Sequence, residues 1–78
     1  MENNKIYATV NWYDPSKNYG IASYKNTLLF IHQSYFENPN EILFSNDAIS
    51  CTPLFDDGIY HAMNIEKINT LKDKTDLY

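Results

Sequence analysis

"YGIASYKNTLLFIH", residues 19–32, decides the fold. Two runs of strand-like composition flank the polar Lys25-Asn26-Thr27, a connection short enough to force a hairpin. Side chains alternate along a strand, so each run sorts by parity. In the first run Tyr19, Ile21 and Ser23 share a face, and Gly20, Ala22 and Tyr24 share the other. In the second, Leu29 and Ile31 form an apolar face, with Phe30 and His32 opposite. A core face does not set histidine beside an aromatic, and an ordinary solvated face does not carry Tyr and Phe. The pattern predicts a half-exposed surface of rings. Gly20 and Ala22 let the strand pack closely on its other side. The competing reading is that the rings form a satellite cluster packed under a neighbouring loop.

Outward from the hairpin, Ile6–Tyr13 is rich in β-branched and aromatic residues and reads as a strand. Asp14-Pro15-Ser16-Lys17-Asn18 is a turn by its chemistry. Ser34-Tyr35-Phe36 suits a single helical turn. Residues 37–47 form a long loop around the apolar kernel Ile42–Phe44. Ala48–Phe55 is a fourth strand, with Pro53 either demoting its end or placing it on a sheet edge. Asp56-Asp57-Gly58 satisfies the positive φ angles of a type I′ turn, and Ile59–Ile68 comes next as a fifth strand. Residues 69–78 read as a polar tail. Short strands, hairpin signals and no long amphipathic helix predict a small closed β structure.

The chain has 78 residues and a formal charge of −4. That length makes one domain with a thin margin of stability. One cysteine, Cys51, rules out an intrachain disulfide and suits a reducing compartment. No apolar run reaches membrane-spanning length, and MENNKIYATV lacks the form of a signal peptide, so a cytoplasmic location is expected. Residues 1–25 carry Lys5, Lys17 and Lys25 against Glu2 and Asp14. Residues 26–66 carry no lysine, and place Glu37, Glu41, Asp47, Asp56, Asp57 and Glu66 there; arginine is absent. A strongly basic nucleic-acid binder is thereby excluded, while a local basic strip in the first third is not. The acid-rich side, 37–57, reads as a solvated face or as a dock for a basic protein.

No phosphate-binding loop, dinucleotide fingerprint or metal-ligand spacing is present, and no cofactor or metal is expected. Cys51 reads as a small core residue rather than a nucleophile. His61 reads as an exposed strand residue. His32 reads as a surface histidine, or as a ring that stacks or donates to a base edge.

"TVNWYDPSKNYGIA" (9–22), "LLFIHQS" (28–34) and "AMNIEKI" (62–68) together resemble the bacterial cold-shock domain family, over about residues 5–68. The first matches its opening strand, turn and RNP1-like segment, the second its RNP2-like segment, and the third its closing strand. The resemblance implies a five-stranded antiparallel OB-type barrel over 1–68 that binds single-stranded RNA or DNA by stacking bases on rings. Position by position it implies Trp12, Tyr13, Lys17, Tyr19, Phe30 and His32 as binding residues. The chain departs from the family pattern at Asn11, Asn18, Ile21, Gln33 and the acidic turn Asp56-Asp57-Gly58, where a lysine, a glycine, two rings and basic or glycine-rich residues are usual. Those departures frame the alternative: the same fold acting as a protein-interaction module or an inhibitor of a nucleic-acid enzyme. Neither reading involves catalysis.

Overall fold

The computed structural model describes residues 4–68, so the polar tail expected over 69–78 lies outside the described residues. The strands are β1 (Ile6–Asp14), β2 (Tyr19–Tyr24), β3 (Thr27–His32), β4 (Ala48–Asp56) and β5 (Ile59–Ile68). They close into an all-β, five-stranded barrel in the order β1-β2-β3-β5-β4. A single 3-10 turn, Gln33–Tyr35, comes directly after β3.

The expected OB-type barrel is found, with one correction. The strands are not uniformly antiparallel: β3 and β5 run parallel, with Leu29 opposite Tyr60 and Phe30 opposite His61. The reason is parity. An odd number of strands cannot alternate direction all the way round a closed ring, so one neighbouring pair must run the same way. β3 and β5, separated in sequence by the long loop and β4, are that pair.

The interior is built from small and aliphatic side chains: Ala8, Val10, Ala22, Leu29, Ile31, Ile49, Cys51, Ala62 and Ile65, joined by Phe36 and Leu43 from the segment between β3 and β4. A five-stranded barrel has room for little more. Leu43 is the part of the 37–47 loop that enters the core, while Ile42 and Phe44 stay exposed. Lys67 fastens this loop against β5. Its Nζ donates to the Ile42 carbonyl at 3.1 Å, sits 3.2 Å from Asp47 Oδ2 and lies over the Phe44 ring. Val10 N–H donates to the Asp47 carbonyl at 2.8 Å on the β1 side.

Two bulges bend the strands around the barrel. On β1 the register slips by one residue between Val10 and Trp12. On β5 it slips opposite Ser50–Thr52, where Asn64 adopts φ 53°. The first bulge needs Gly20. A Cβ there would collide with the Trp12 carbonyl oxygen and approach Tyr13 Cα at 2.7 Å, both of them backbone. Gly58 differs: with Asp57 at φ 54° and Gly58 at φ 83° the expected turn is made, and a Cβ on Gly58 would meet nothing.

The two glycines therefore predict different penalties. Gly20→Ala should destabilise by about 3 kcal/mol or more, because backbone must move. Gly58→Ala should cost only about 1 kcal/mol of left-handed strain. Thermal unfolding should separate them, at roughly 4–8 °C per kcal/mol for a domain this small.

Cys51 gives a second test. It is fully buried, and desolvation pushes its thiol from 9.0 up to about 11. The folded state holds this proton more tightly than the unfolded chain, so its contribution is complete below the ordinary thiol range and is lost as pH rises from about 9 toward about 11. Urea midpoints should be flat near neutrality and fall across that window. Cys51→Ala should show a shallower fall than the parent, which separates the thiol from the tyrosines.

Candidate nucleic-acid interface

The hairpin register explains how the rings come together. β2 and β3 pair with Tyr19 opposite His32 and Ile21 opposite Phe30. Gly20, Ala22, Leu29 and Ile31 face the core, leaving Tyr19, Phe30 and His32 half-buried on the outer face. Period two is a sufficient guide on this hairpin.

The β1 bulge adds Trp12 to the same surface. Strict alternation from Val10 would turn Trp12 inward. Slipping the register at Asn11 instead lets Val10 fill the core while Trp12 stands 44% exposed. Ser23 Oγ donates to Asn11 Oδ1 at 2.6 Å on this outer side. Trp12 meets Tyr19 edge-on at 5.9 Å, Tyr19 meets Phe30 at 6.0 Å, and Phe30 meets His32 at 6.3 Å. These separations lie in the range of weakly attractive aromatic pairs.

Tyr13 goes the other way. Its ring packs on Phe36 at 5.6 Å and against the core. Burial, and then the neighbouring Asp14 carboxylate, raise its hydroxyl pKa. The structure therefore brings Trp12, Tyr19, Phe30 and His32 into one row and leaves Tyr13 out of it.

Two further residues join the row that sequence reading did not assign to it. Tyr35, in the 3-10 turn, lies 6.3 Å from Phe30 and 5.8 Å from His32. His61 lies 5.7 Å from Phe30, and its Nδ1 is 2.9 Å from Tyr35 Oη. His61 arrives through the parallel β3–β5 pairing, a contact between distant segments that no local pattern encodes. The signal for Tyr35 was its place just beyond a ring-bearing strand.

His32 is oriented by the 3-10 turn on its C-terminal side. Its Nδ1 accepts from the Ser34 backbone N–H at 3.1 Å, capping that turn, and lies 2.9 Å from Ser34 Oγ. With Nδ1 accepting, the proton of the neutral ring sits on Nε2. That nitrogen is left as a donor.

Lys17 lies at the end of the row, in the Asp14–Asn18 turn. Asp14 Oδ1 accepts from Ser16 N–H at 2.9 Å and Ser16 Oγ at 2.7 Å, which hold the Asp14 carboxyl below its ordinary range, with a smaller contribution from Lys17. The carboxylate beside Lys17 offsets much of its field. Lys5 and Lys25, expected to share an edge with Lys17, are placed apart. Lys5 is 3.9 Å from Glu66. Lys25 lies over the Tyr24 ring, at the opposite end of β2 from Tyr19, roughly 17 Å along the strand.

The loop that could have sealed the rings is fastened to β1 and β5 instead, through Val10, Asn46 and Lys67. A scan against family models finds no match for this chain, and a search of curated proteins finds none. No helix among the described residues is long and apolar enough to cross a membrane.

The two faces of β3 predict opposite mutational costs. Leu29→Ala, inside the barrel, should destabilise by about 2–5 kcal/mol. Phe30→Ala, one residue on, should cost no more than about 1.5 kcal/mol, the scale of a solvated ring pair. Urea unfolding of both variants checks this.

Proposed function

We propose that this protein is a diverged cold-shock-like OB barrel that binds single-stranded RNA or DNA, without chemistry, as a chaperone or regulator. The observation that carries the reading is the continuous row Trp12–Tyr19–Phe30–His32 on one outer face, left open by the loop that packs elsewhere. Bases stack on such rings with little sequence preference, at about 1–3 kcal/mol each. Tyr35 and His61 extend the platform, and His32 Nε2–H offers one donor to a base edge. Lys17 supplies a phosphate contact at the end of the row, and Tyr13 supports the strand from its core side. The lone buried thiol fits a cytoplasmic setting.

This binding is dominated by stacking rather than charge. With one lysine near the row, log K should fall with log salt at a slope of about −0.7. Three lysines sharing one edge would give a slope of roughly −2.

Quenching of the single tryptophan, Trp12, by oligo-dT and oligo-U should saturate and weaken only slightly with salt. Phe30→Ala combined with His32→Ala should reduce affinity by about 30-fold or more, the loss of two stacks, with circular dichroism unchanged. Unaltered affinity in that pair, or no quenching at high protein concentration, would remove the proposal.

A further inference from the structure

The far end of the β4–β5 hairpin carries a second surface that the ring row does not account for. β1 pairs with β4 only from Ala48 to Cys51, where it reaches Ile6. β4 continues to Asp56, still paired with β5. Among the described residues, Thr52–Asp56 therefore has a partner strand on one side and none on the other. An unpaired edge presents backbone donors and acceptors in strand register, ready for another strand.

That edge is apolar where natural edges are usually charged. Leu54 is 51% exposed, Phe55 60%, Ile59 50% and Tyr60 42%. Phe55 and Tyr60 face each other across the hairpin, their rings 4.8 Å apart. Beside the edge, where β1 runs out, the barrel end opens into a cavity of about 190 Å³ lined by Ile6, Tyr24, Thr27, Leu29, Pro53 and Tyr60. Apart from Thr27 and the two tyrosine hydroxyls, its lining is apolar. The hairpin tip is acidic: Asp56 and Asp57 are exposed at the turn and form no ion pair among the described residues, while Lys25, whose Nζ lies over the ring of the lining residue Tyr24, stands beside the cavity itself.

We infer that the Thr52–Asp56 edge is a docking site for an extended, apolar segment of a partner protein that carries lysine or arginine, added as a further strand. Backbone pairing along β4 gives the register, the Ile6–Pro53–Tyr60 cavity receives an anchoring side chain, and Asp56 and Asp57 select for positive charge. Pro53 lacks an N–H, so pairing is interrupted there and the added strand stays short. The same carboxylates disfavour a nucleic-acid strand, so this surface and the ring row take different partners.

The test uses the full chain and two synthetic peptides of alternating valine and threonine with one central leucine as the anchor, one bearing lysines and one bearing glutamates at the same positions. Backbone amide shifts are followed by NMR. The lysine peptide should move amides of Thr52–Tyr60, and leave those of Tyr19 and Phe30 in place. The glutamate peptide should bind at least about tenfold more weakly. Asp56→Asn with Asp57→Asn keeps the turn, since asparagine tolerates the left-handed region, and should weaken the lysine peptide roughly three- to tenfold, as two exposed charge pairs would. Leu54→Lys should abolish peptide binding while Trp12 quenching by oligo-dT persists.

Several results would overturn the inference. The lysine peptide could leave the hairpin amides unmoved at millimolar concentration, or the two peptides could bind equally. Oligo-dT could move the same amides, assigning the surface to nucleic acid. Sedimentation could show a dimer that Leu54→Lys dissolves, assigning the edge to a second copy. A variant lacking residues 2 and 3 could shift the hairpin amides by itself, assigning the edge to the chain's own start.

Discussion

The close approach of β1 to β2 at Gly20 governs how the outer surface is assembled. With no side chain there, the backbone of Trp12 and Tyr13 passes within contact distance of β2. The one-residue slip at Asn11 then reverses the parity of everything after Val10. Val10 stays inside, Trp12 turns out to meet Tyr19, and Tyr13 turns in to meet Phe36. A straight β1 would bury the indole in a barrel whose inward strand residues are otherwise small or aliphatic, and would send the Tyr13 hydroxyl outward. The bulge thus solves a packing problem and completes the ring row in one step.

Most of the fold was legible because its signals are local. The hairpin at 19–32 sorted correctly by period two, and Asp57-Gly58 adopted the two positive φ angles that its turn chemistry implies. What was not legible depended on contacts between distant segments. Parity could not place Trp12 and Tyr13, since a bulge leaves no mark stronger than a nearby glycine. His61 reached the row only through the parallel pairing with β3, a consequence of closing an odd-stranded ring. The lysines of the first third looked like one strip in sequence, yet the strand geometry separates Lys17 from Lys25 and sets Lys5 beside Glu66.

Charge and stacking are divided unusually in this molecule. A net charge of −4 with no arginine gives the whole chain a field that repels phosphate. At the Asp14–Asn18 turn the charges of Lys17 and Asp14 oppose each other. On the function proposed above, affinity for a strand at this face rests on the π-faces more than on charge. The two histidines of the row are each held by a hydrogen bond, His32 to the Ser34 backbone N–H and His61 to Tyr35, rather than left to rotate. On the function proposed above, fixing those rings in advance would lower the ordering entropy that a stacked base imposes.

Exposure alone is weak evidence for a binding face in so small a barrel. The interior has room for Leu29, Ile31, Phe36, Leu43, Ile49 and Ile65 beside the smaller Ala8, Val10, Ala22, Cys51 and Ala62, so the remaining large side chains have nowhere to go but outward. Lack of room does not explain their grouping. Rings expelled only for want of space would be scattered among the charged positions around the barrel. Here Trp12, Tyr19, Phe30, His32, Tyr35 and His61 form one connected set of ring contacts, and Leu54, Phe55, Ile59 and Tyr60 gather at the hairpin end next to an unpaired edge. Trp12 and the hairpin group forgo burial that a chain with a thin stability margin has every physical reason to seek, while the other rings of the row are half-buried. Neither is shielded by the 37–47 loop, although that loop is long enough to reach across a strand pair and is clamped by Lys67 to β5 instead. Tyr7, Leu28, Ile42 and Phe44 are exposed elsewhere, so it is the ring contacts of the one group and the unpaired edge beside the other, not exposure itself, that mark these two surfaces as places another molecule could complete.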